Sequence, residues 1–325
     1  MHRIAVVLRF ARILIRRRRE KFLAKIAVDL EQAVAQRVVS GGPGTMSSRV
    51  LGQGDGWHVA DVVCTSGPHD RPFEEQHSCF TIAVVVAGTF QYRALSRSRT
   101  AHELMTPGSL LLGSAGQYFE CGHEHAWGDR CLSFRYTPDY FERLVAAAGL
   151  PRELRNFKTL RLPPLKSLSR TVARACAALV RATDPHTHWE ELSVQIAAEA
   201  AWLVQGLSTH PSSVPPSTVA RVTRAVRMIE RQAEGELPLG SLAQEAGLSP
   251  YHFLRTFQQL TGLTPHQYLR RIRLREAAAR LTSARDKILN VALDCGFGDV
   301  SNFNRAFRTE FGLSPRAYRW QTVRH

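Results

Sequence analysis

The most reactive side chains of this sequence fall in one short run. Cys121-Gly-His123-Glu-His125 is followed by Asp129-Arg-Cys131, and His77-Ser-Cys79 lies upstream. Sulfur and imidazole nitrogen are the donors that zinc and other thiophilic metals prefer, so Cys121, His123, His125 and Cys131 form a candidate metal set. Thiolates in the same run would alternatively react with oxidants. The run lacks the paired Cys-x-x-Cys of structural zinc sites, which leaves a third reading open. In it the cysteines pack in a core and the histidines are hydrogen-bonded in a loop.

A second group of side chains suits a polyanion. It lies on two segments that repeat one another. The first, from Leu239, reads LGSLAQEAGLSPYHFLRTFQQLTGLTPHQYLRR, and the second, from Ile288, reads ILNVALDCGFGDVSNFNRAFRTEFGLSPRAYRW. Leu242, Ala243, Gly247 and Leu248 match Val291, Ala292, Gly296 and Phe297 at an offset of 49. Phe253, Arg255, Phe257, Gly262, Pro265 and Tyr268 match Phe303, Arg305, Phe307, Gly312, Pro315 and Tyr318 at an offset of 50. One residue is therefore inserted in the second turn.

Each copy has the pattern of a helix-turn-helix. A small residue, Ala243 or Ala292, allows close approach of the second helix. A glycine opens the turn where positive φ is favoured, and Leu248 or Phe297 plugs the corner. Phe253 and Phe257, or Phe303 and Phe307, lie four apart on the buried face of the second helix. Ser249-Pro250 is a helix start, with serine as N-cap and proline at the first helical position. A strongly helical connector, PHQYLRRIRLREAAARLTS, joins the copies. The side chains left outward are Tyr251, His252, Leu254, Arg255 and Gln258 on the first, and Asp299, Ser301, Asn302, Asn304, Arg305 and Arg308 on the second. Arginine pairs with guanine and asparagine with adenine on major-groove edges.

The charge follows the same division. The 325 residues hold 43 Lys and Arg against 28 Asp and Glu, a net of +15. Residues 218–325 carry 17 basic and 9 acidic residues, residues 1–48 carry 10 and 3, and residues 49–217 carry 16 of each. The middle is neutral and both ends are basic, which calls for at least one polyanion-binding module. Six cysteines in such a length do not make a dense disulfide framework, and a reducing compartment is expected.

Residues 218–325 resemble the DNA-binding domain of the AraC/XylS family of bacterial transcription regulators. The resemblance rests on both repeat units, the connector, and especially Ala292, Gly296-Phe297, Phe303, Phe307, Phe311-Gly312 and Ser314-Pro315-Tyr318. It implies that both units enter successive major grooves of double-stranded DNA. It places base contacts on Tyr251, Leu254 and Arg255 in the first unit, and on Ser301, Asn302, Asn304 and Arg305 in the second. Leu254 departs from the commoner polar choice and would make an apolar contact, such as with a thymine methyl.

Residues 57–136 read as short strands with frequent turns: WHVADVVC, FTIAVVVAGTFQYRAL, GSLLLGSAGQYFECG and CLSFRY. They look like the cupin-like β-barrel that often precedes such a DNA-binding domain. Residues 167–208 turn helical, and the resemblance implies a dimerisation surface there. The expected fold is α+β and multidomain. It comprises a cupin-like sensor and dimerisation domain over 49–210, a Pro/Ser linker over 211–217, and an all-α DNA-binding domain over 218–325. A cytoplasmic homodimer is expected, with RNA polymerase and a small-molecule or redox effector as further partners and no membrane. A rival reading is a cupin-type metal-dependent enzyme with His77, His123 and His125 as ligands, but no His-x-His with downstream Glu and His stands at the spacing of such enzymes. No Gly-rich phosphate loop and no Ser/His/Asp constellation stands out.

Residues 1–48 read as a basic extension outside the fold. Arg9 and Arg12 interrupt its apolar stretch, so it is neither a clean signal-peptide core nor a membrane span. Met46 stands just past the Gly41–Gly44 breaker and is an alternative start, which would leave the upstream part outside the natural protein.

Overall fold

The structure, a computed structural model, describes residues 22–95, 100–150, 156–157, 159–180, 189–206, 214–283 and 286–323. The chain opens with helix α1 (Phe22–Ser40) and continues through strands β1 (Met46–Gly54), β2 (Trp57–Cys64), β3 (Phe73–Gln76), β4 (Phe80–Gly88) and β5 (Phe90–Leu95). Then come β6 (Thr100–Met105), β7 (Leu110–Gly113), β8 (Tyr118–Gly122), β9 (Asp129–Tyr136), helix α2 (Pro138–Ala147) and β10 (Arg161–Leu162). Two helices, α3 (Ser169–Val180) and α4 (Trp189–Gln205), close this part.

The ten strands form two sheets rather than one closed barrel: β1-β2-β9-β4-β7-β10 and β3-β8-β5-β6. The pairings β2–β9, β4–β9 and β5–β8 are antiparallel, as are the rest. Alternation along β4 shows why its whole sequence is apolar. Ile82 and Val84 pack towards α2, α3 and α4 with Phe141, Val172 and Ile196. Ala83 and Val85 pack towards the four-stranded sheet with Tyr92, Met105 and Phe119. A strand covered on both faces reads as a continuous hydrophobic run.

Two boundaries differ from the sequence expectation. Residues 1–48 do not all stand outside the fold: Ile26 and Leu30, one turn apart on α1, are 2% exposed and belong to the main core. Arg37 of the same helix donates to the carbonyls of Gly42 and Thr65 and to Asp70 at 2.7 Å, and lies over the Trp127 ring at 5.0 Å. Met46, the alternative start, is the first residue of β1. Residues 1–21, with the arginines that interrupt the apolar stretch, lie outside the described residues. The linker also ends before residue 217, because Val214 is buried in the next core and Pro216 begins a helix. Residues 211–213 lie outside the described residues.

Helices α5 (Pro216–Arg231), α6 (Leu239–Ala246), α7 (Pro250–Thr261), α8 (Pro265–Ser283), α9 (Ile288–Asp294), α10 (Val300–Phe311) and α11 (Pro315–Val323) complete the chain. They hold two cores that share α8. Tyr268 and Leu269 near its start join Phe253 and Phe257, while Leu274, Ala277, Ala278 and Leu281 join Phe303 and Phe307. Among the described residues no helix is long and apolar enough to cross a membrane.

Candidate nucleic-acid interface

Both helix-turn-helix units form from the local signals of the sequence. Gly247 and Gly296 hold φ of 61° and 83° between the paired helices, a region that costs other residues a steric clash. Ala243 and Ala292 are fully packed at the crossing. Ser249 caps α7 by accepting from the amide of His252, with Pro250 following. Asp299 caps α10 by accepting from the amide of Asn302 at 2.6 Å. Asp299 was grouped by sequence with the outward side chains, but its carboxylate is engaged at the helix start. The signal was present: aspartate directly before an apolar-periodic run is a preferred N-cap. Asp299→Ala is expected to cost about 1 kcal/mol, read as a lower urea midpoint with an unchanged slope. An unchanged midpoint would remove the cap from the account.

The structure leaves the expected base-contacting side chains on open faces. Tyr251 is 75% exposed, Arg255 is exposed and Leu254 is half-buried, its apolar body partly used by the fold. Ser301, Asn302, Asn304 and Arg305 are all exposed on α10. Behind them, Phe253, Phe257, Phe303 and Phe307 are completely buried. The two units are held in register by α8. Its Arg273 donates to the carbonyls of Ala233, Gly296 and Gly235 at 2.6–2.7 Å, joining the α5–α6 loop to the turn of the second unit. Sequence reasoning passed over Arg273, because nothing in a helical Arg-rich run marks which arginine turns inward.

The helical domain also touches the sheets. Glu310, buried near the end of α10, accepts from Arg271 at 2.9 Å and from Ser169 at the start of α3. Arg161 of β10 donates to Glu103 and to the carbonyl of Thr261 at the end of α7. Arg227 of α5 donates to the carbonyl of Trp127 at 3.2 Å. The ends of both outward helices are thus tied to the N-terminal domain.

The Cys/His run folds differently from the expected metal set. Nε2 of His123 lies 2.6 Å from Oδ1 of Asp129, and Sγ of Cys131 is 3.2 Å from Oδ2. Among the described residues, the group whose ligand atoms converge is Cys64, His123 and Asp129. Of the expected four, only His123 belongs to it. His125 stands 3.8 Å from Glu124 instead. His77 bonds the Tyr92 hydroxyl at 2.7 Å and stacks on Phe119, so the three histidines of the enzyme reading do not assemble. Burial, helped by Arg135, lowers the His77 pKa to about 4. Burial also opposes a charge on His123, but hydrogen bonds to Asp129 and Cys64 outweigh it and raise that pKa to about 10. Burial and then the charge of Asp129 push the thiols of Cys121 and Cys131 up. Without a cation beside them such thiols carry little of the reactive thiolate form.

Residues 242–321, from within α6 to within α11, match the family described as Helix-turn-helix domain. The HTH-type transcriptional regulator Rv1931c of Mycobacterium tuberculosis is 39% identical over 88 residues, 27% of this chain and 34% of the relative. The C-terminal domain is of the AraC type. The HTH-type transcriptional activator RhaS of Escherichia fergusonii is 36% identical to it over 103 residues, 32% of this chain and 37% of the relative. The matched part of the chain spans about a third of the length of these curated relatives. A solved transcriptional regulator from Chromobacterium violaceum, described as having an AraC-type DNA-binding domain, shares 28% identity with a TM-score of 0.31. It covers 34% of this chain and 97% of that one. The connector and both outward helices, α7 and α10, lie inside the family match, which begins within the first helix of the first unit.

Proposed function

We propose that this chain is a sequence-specific DNA-binding transcription regulator whose N-terminal domain, residues 49–210 together with α1 and the start of β1, senses a signal. One observation carries the reading: two copies of one helix-turn-helix, fixed to each other by α8 and Arg273, each present an outward helix with a matched arginine, Arg255 and Arg305. The relatives of the C-terminal domain named as transcriptional regulators support the same function.

The chemistry follows from those side chains. Lys and Arg of residues 218–325 neutralise phosphates and release counterions, so affinity falls as salt rises. Arg255, Arg305, Asn302, Asn304, Ser301 and Tyr251 then read base edges in two successive major-groove segments, with Leu254 offering an apolar contact. A homodimer would bring four such helices to one operator. Val194 and Trp202, 40% and 67% exposed and eight residues apart on α4, give that helix an apolar outer face suited to a second copy. RNA polymerase is the further partner of this reading. An effector changes the output only by favouring one arrangement of the two domains over another.

The test is binding to DNA selected from a random pool by the full chain. Arg305→Ala is expected to weaken the selected site by about 1–3 kcal/mol, roughly five- to 150-fold, and to relax base preference in one half only. A selection that yields no common sequence, or an Arg305→Ala chain with unchanged affinity and preference, would overturn the assignment of α10 as a reading helix.

A further inference from the structure

One buried polar cluster of the sensor domain has no part in DNA reading. The register of β2 and β9 sets Cys64 opposite Asp129. The loop between β8 and β9 returns His123 over that pair. Sγ of Cys64, a ring nitrogen of His123 and a carboxylate oxygen of Asp129 lie within 4.8 Å of one another, and all three residues are buried. Cys131 brings a second sulfur to the free oxygen of Asp129, at 3.2 Å. Burying a carboxylate and an imidazole costs more than filling the same space with apolar side chains. A core that keeps them beside two thiols has the composition of a ligand set.

We propose that Cys64, His123 and Asp129, with Cys131 as fourth donor, bind one thiophilic divalent ion of the zinc class. Two sulfurs, one imidazole and one carboxylate suit a tetrahedral centre of that softness and do not suit calcium or magnesium, which take oxygen. Bonds of about 2.0–2.3 Å put neighbouring donors about 3.3–3.8 Å apart, so an ion replaces the 2.6 Å His123–Asp129 hydrogen bond and draws the Cys131 sulfur in from its place on Asp129. The thiol protons and the proton shared by His123 and Asp129 leave to solvent as the ion enters. His125 and Cys121, both in the sequence-derived set, are not ligands in this arrangement.

The same loop is a contact with the DNA-reading domain. Trp127, between His123 and Asp129, accepts from Arg227 of α5 and lies beneath Arg37 of α1. Thr223 of α5 lines the small cleft formed by Gly122–Ala126. Gly128 holds φ of 64°, and a Cβ there would meet the Cys64 carbonyl oxygen at 2.8 Å, so the loop already lies tight on β2. Drawing His123 and Asp129 onto an ion shifts the loop against α5. Metal occupancy thereby reaches the helix that leads into both reading units; this last step rests on the regulator reading.

The experiment uses the full chain, stripped of metal and then equilibrated with zinc or cobalt(II). About one zinc per chain is expected after gel filtration, and cobalt(II) should show a thiolate charge-transfer band. Cys64→Ser and His123→Gln should weaken binding by about a hundredfold, with His125→Gln and Cys79→Ser unchanged. A wild-type chain that retains no zinc and gives no cobalt band would overturn the site, whatever the folding of the variants. So would Cys64→Ser with wild-type affinity, or loss of binding in His125→Gln. Hydrogen exchange should slow on metal addition in residues 122–128 and in α5; unchanged exchange in α5 would overturn the coupling. None of these readouts uses DNA, so a failure of the regulator reading would show separately, as absent DNA binding by a chain that still takes up its ion.

Discussion

Phe307→Ala is expected to lower the stability of the C-terminal domain by about 3–5 kcal/mol, the range for deleting a fully buried phenylalanine side chain. Phe307 sits at the centre of an aromatic group, with ring centroids 5.5 Å from Phe303, 4.5 Å from Phe311 and 5.3 Å from Tyr318. Its removal opens a cavity walled by other rings of α10 and α11, and rigid rings collapse poorly into such a space. The loss should be local. The core of the first unit, around Phe253, Phe257 and Tyr268, shares with the second only the helix α8. In hydrogen exchange, residues 288–323 should lose most of their protection while residues 239–263 keep theirs. In a DNA footprint, one half-site should disappear and the other persist at reduced affinity. Loss of both halves together would show that the units fold as one, and an unchanged denaturation midpoint would remove Phe307 from the core.

The C-terminal domain was legible in sequence because its determinants are local and duplicated. A small residue, a turn glycine, a corner plug and a Phe pair four apart define each unit within about thirty residues, and the second copy confirms the first. The outward residues followed by subtraction. The sensor domain resisted because its determinants are non-local. Cys64 and Asp129 meet only through strand pairing, and no spacing rule connects positions brought together that way. The run from Cys121 to Cys131 therefore marks the loop of this cluster, whereas Cys64, on β2, lies beyond the reach of any local spacing. Strand β1, exposed along most of its length, has no apolar alternation to find. Helix α1 was hidden by its neighbours: the arginine run before it makes the segment look like a solvated tail, and the inward pair Ile26 and Leu30 is a short stripe in an otherwise mixed sequence.

That helix is tied to the sheets by a buried charge, which gives the second large expected effect. Arg130 of β9 donates to both carboxylate oxygens of Asp61 on β2 at 2.9 Å, and also to Asp29 of α1 at 3.0 Å. Arg130→Met should cost about 3–5 kcal/mol, because it leaves the Asp61 carboxylate in the interior with only the more exposed Arg49 beside it. The dependence on pH separates this from simple loss of packing. Burial pushes the Asp61 pKa up, but Arg130 and then Arg49 outweigh it and hold the carboxyl below its ordinary value. A depressed carboxyl contributes stability above its unfolded pKa, and that contribution is lost as pH falls through the folded value. Without Arg130 the burial effect has less to oppose it and the carboxyl protonates more readily. A neutral Asp61 no longer needs a cation, so the stability gap between the two chains should be widest near neutral pH and narrow through the acid range. Arg130→Met with Asp61→Leu should recover most of the loss, since replacing both members of a buried pair by apolar groups is often neutral. A gap that is constant with pH, or a double variant no better than the single one, would mean that Arg130 acts through its shape and its hold on α1 rather than through the charge of Asp61.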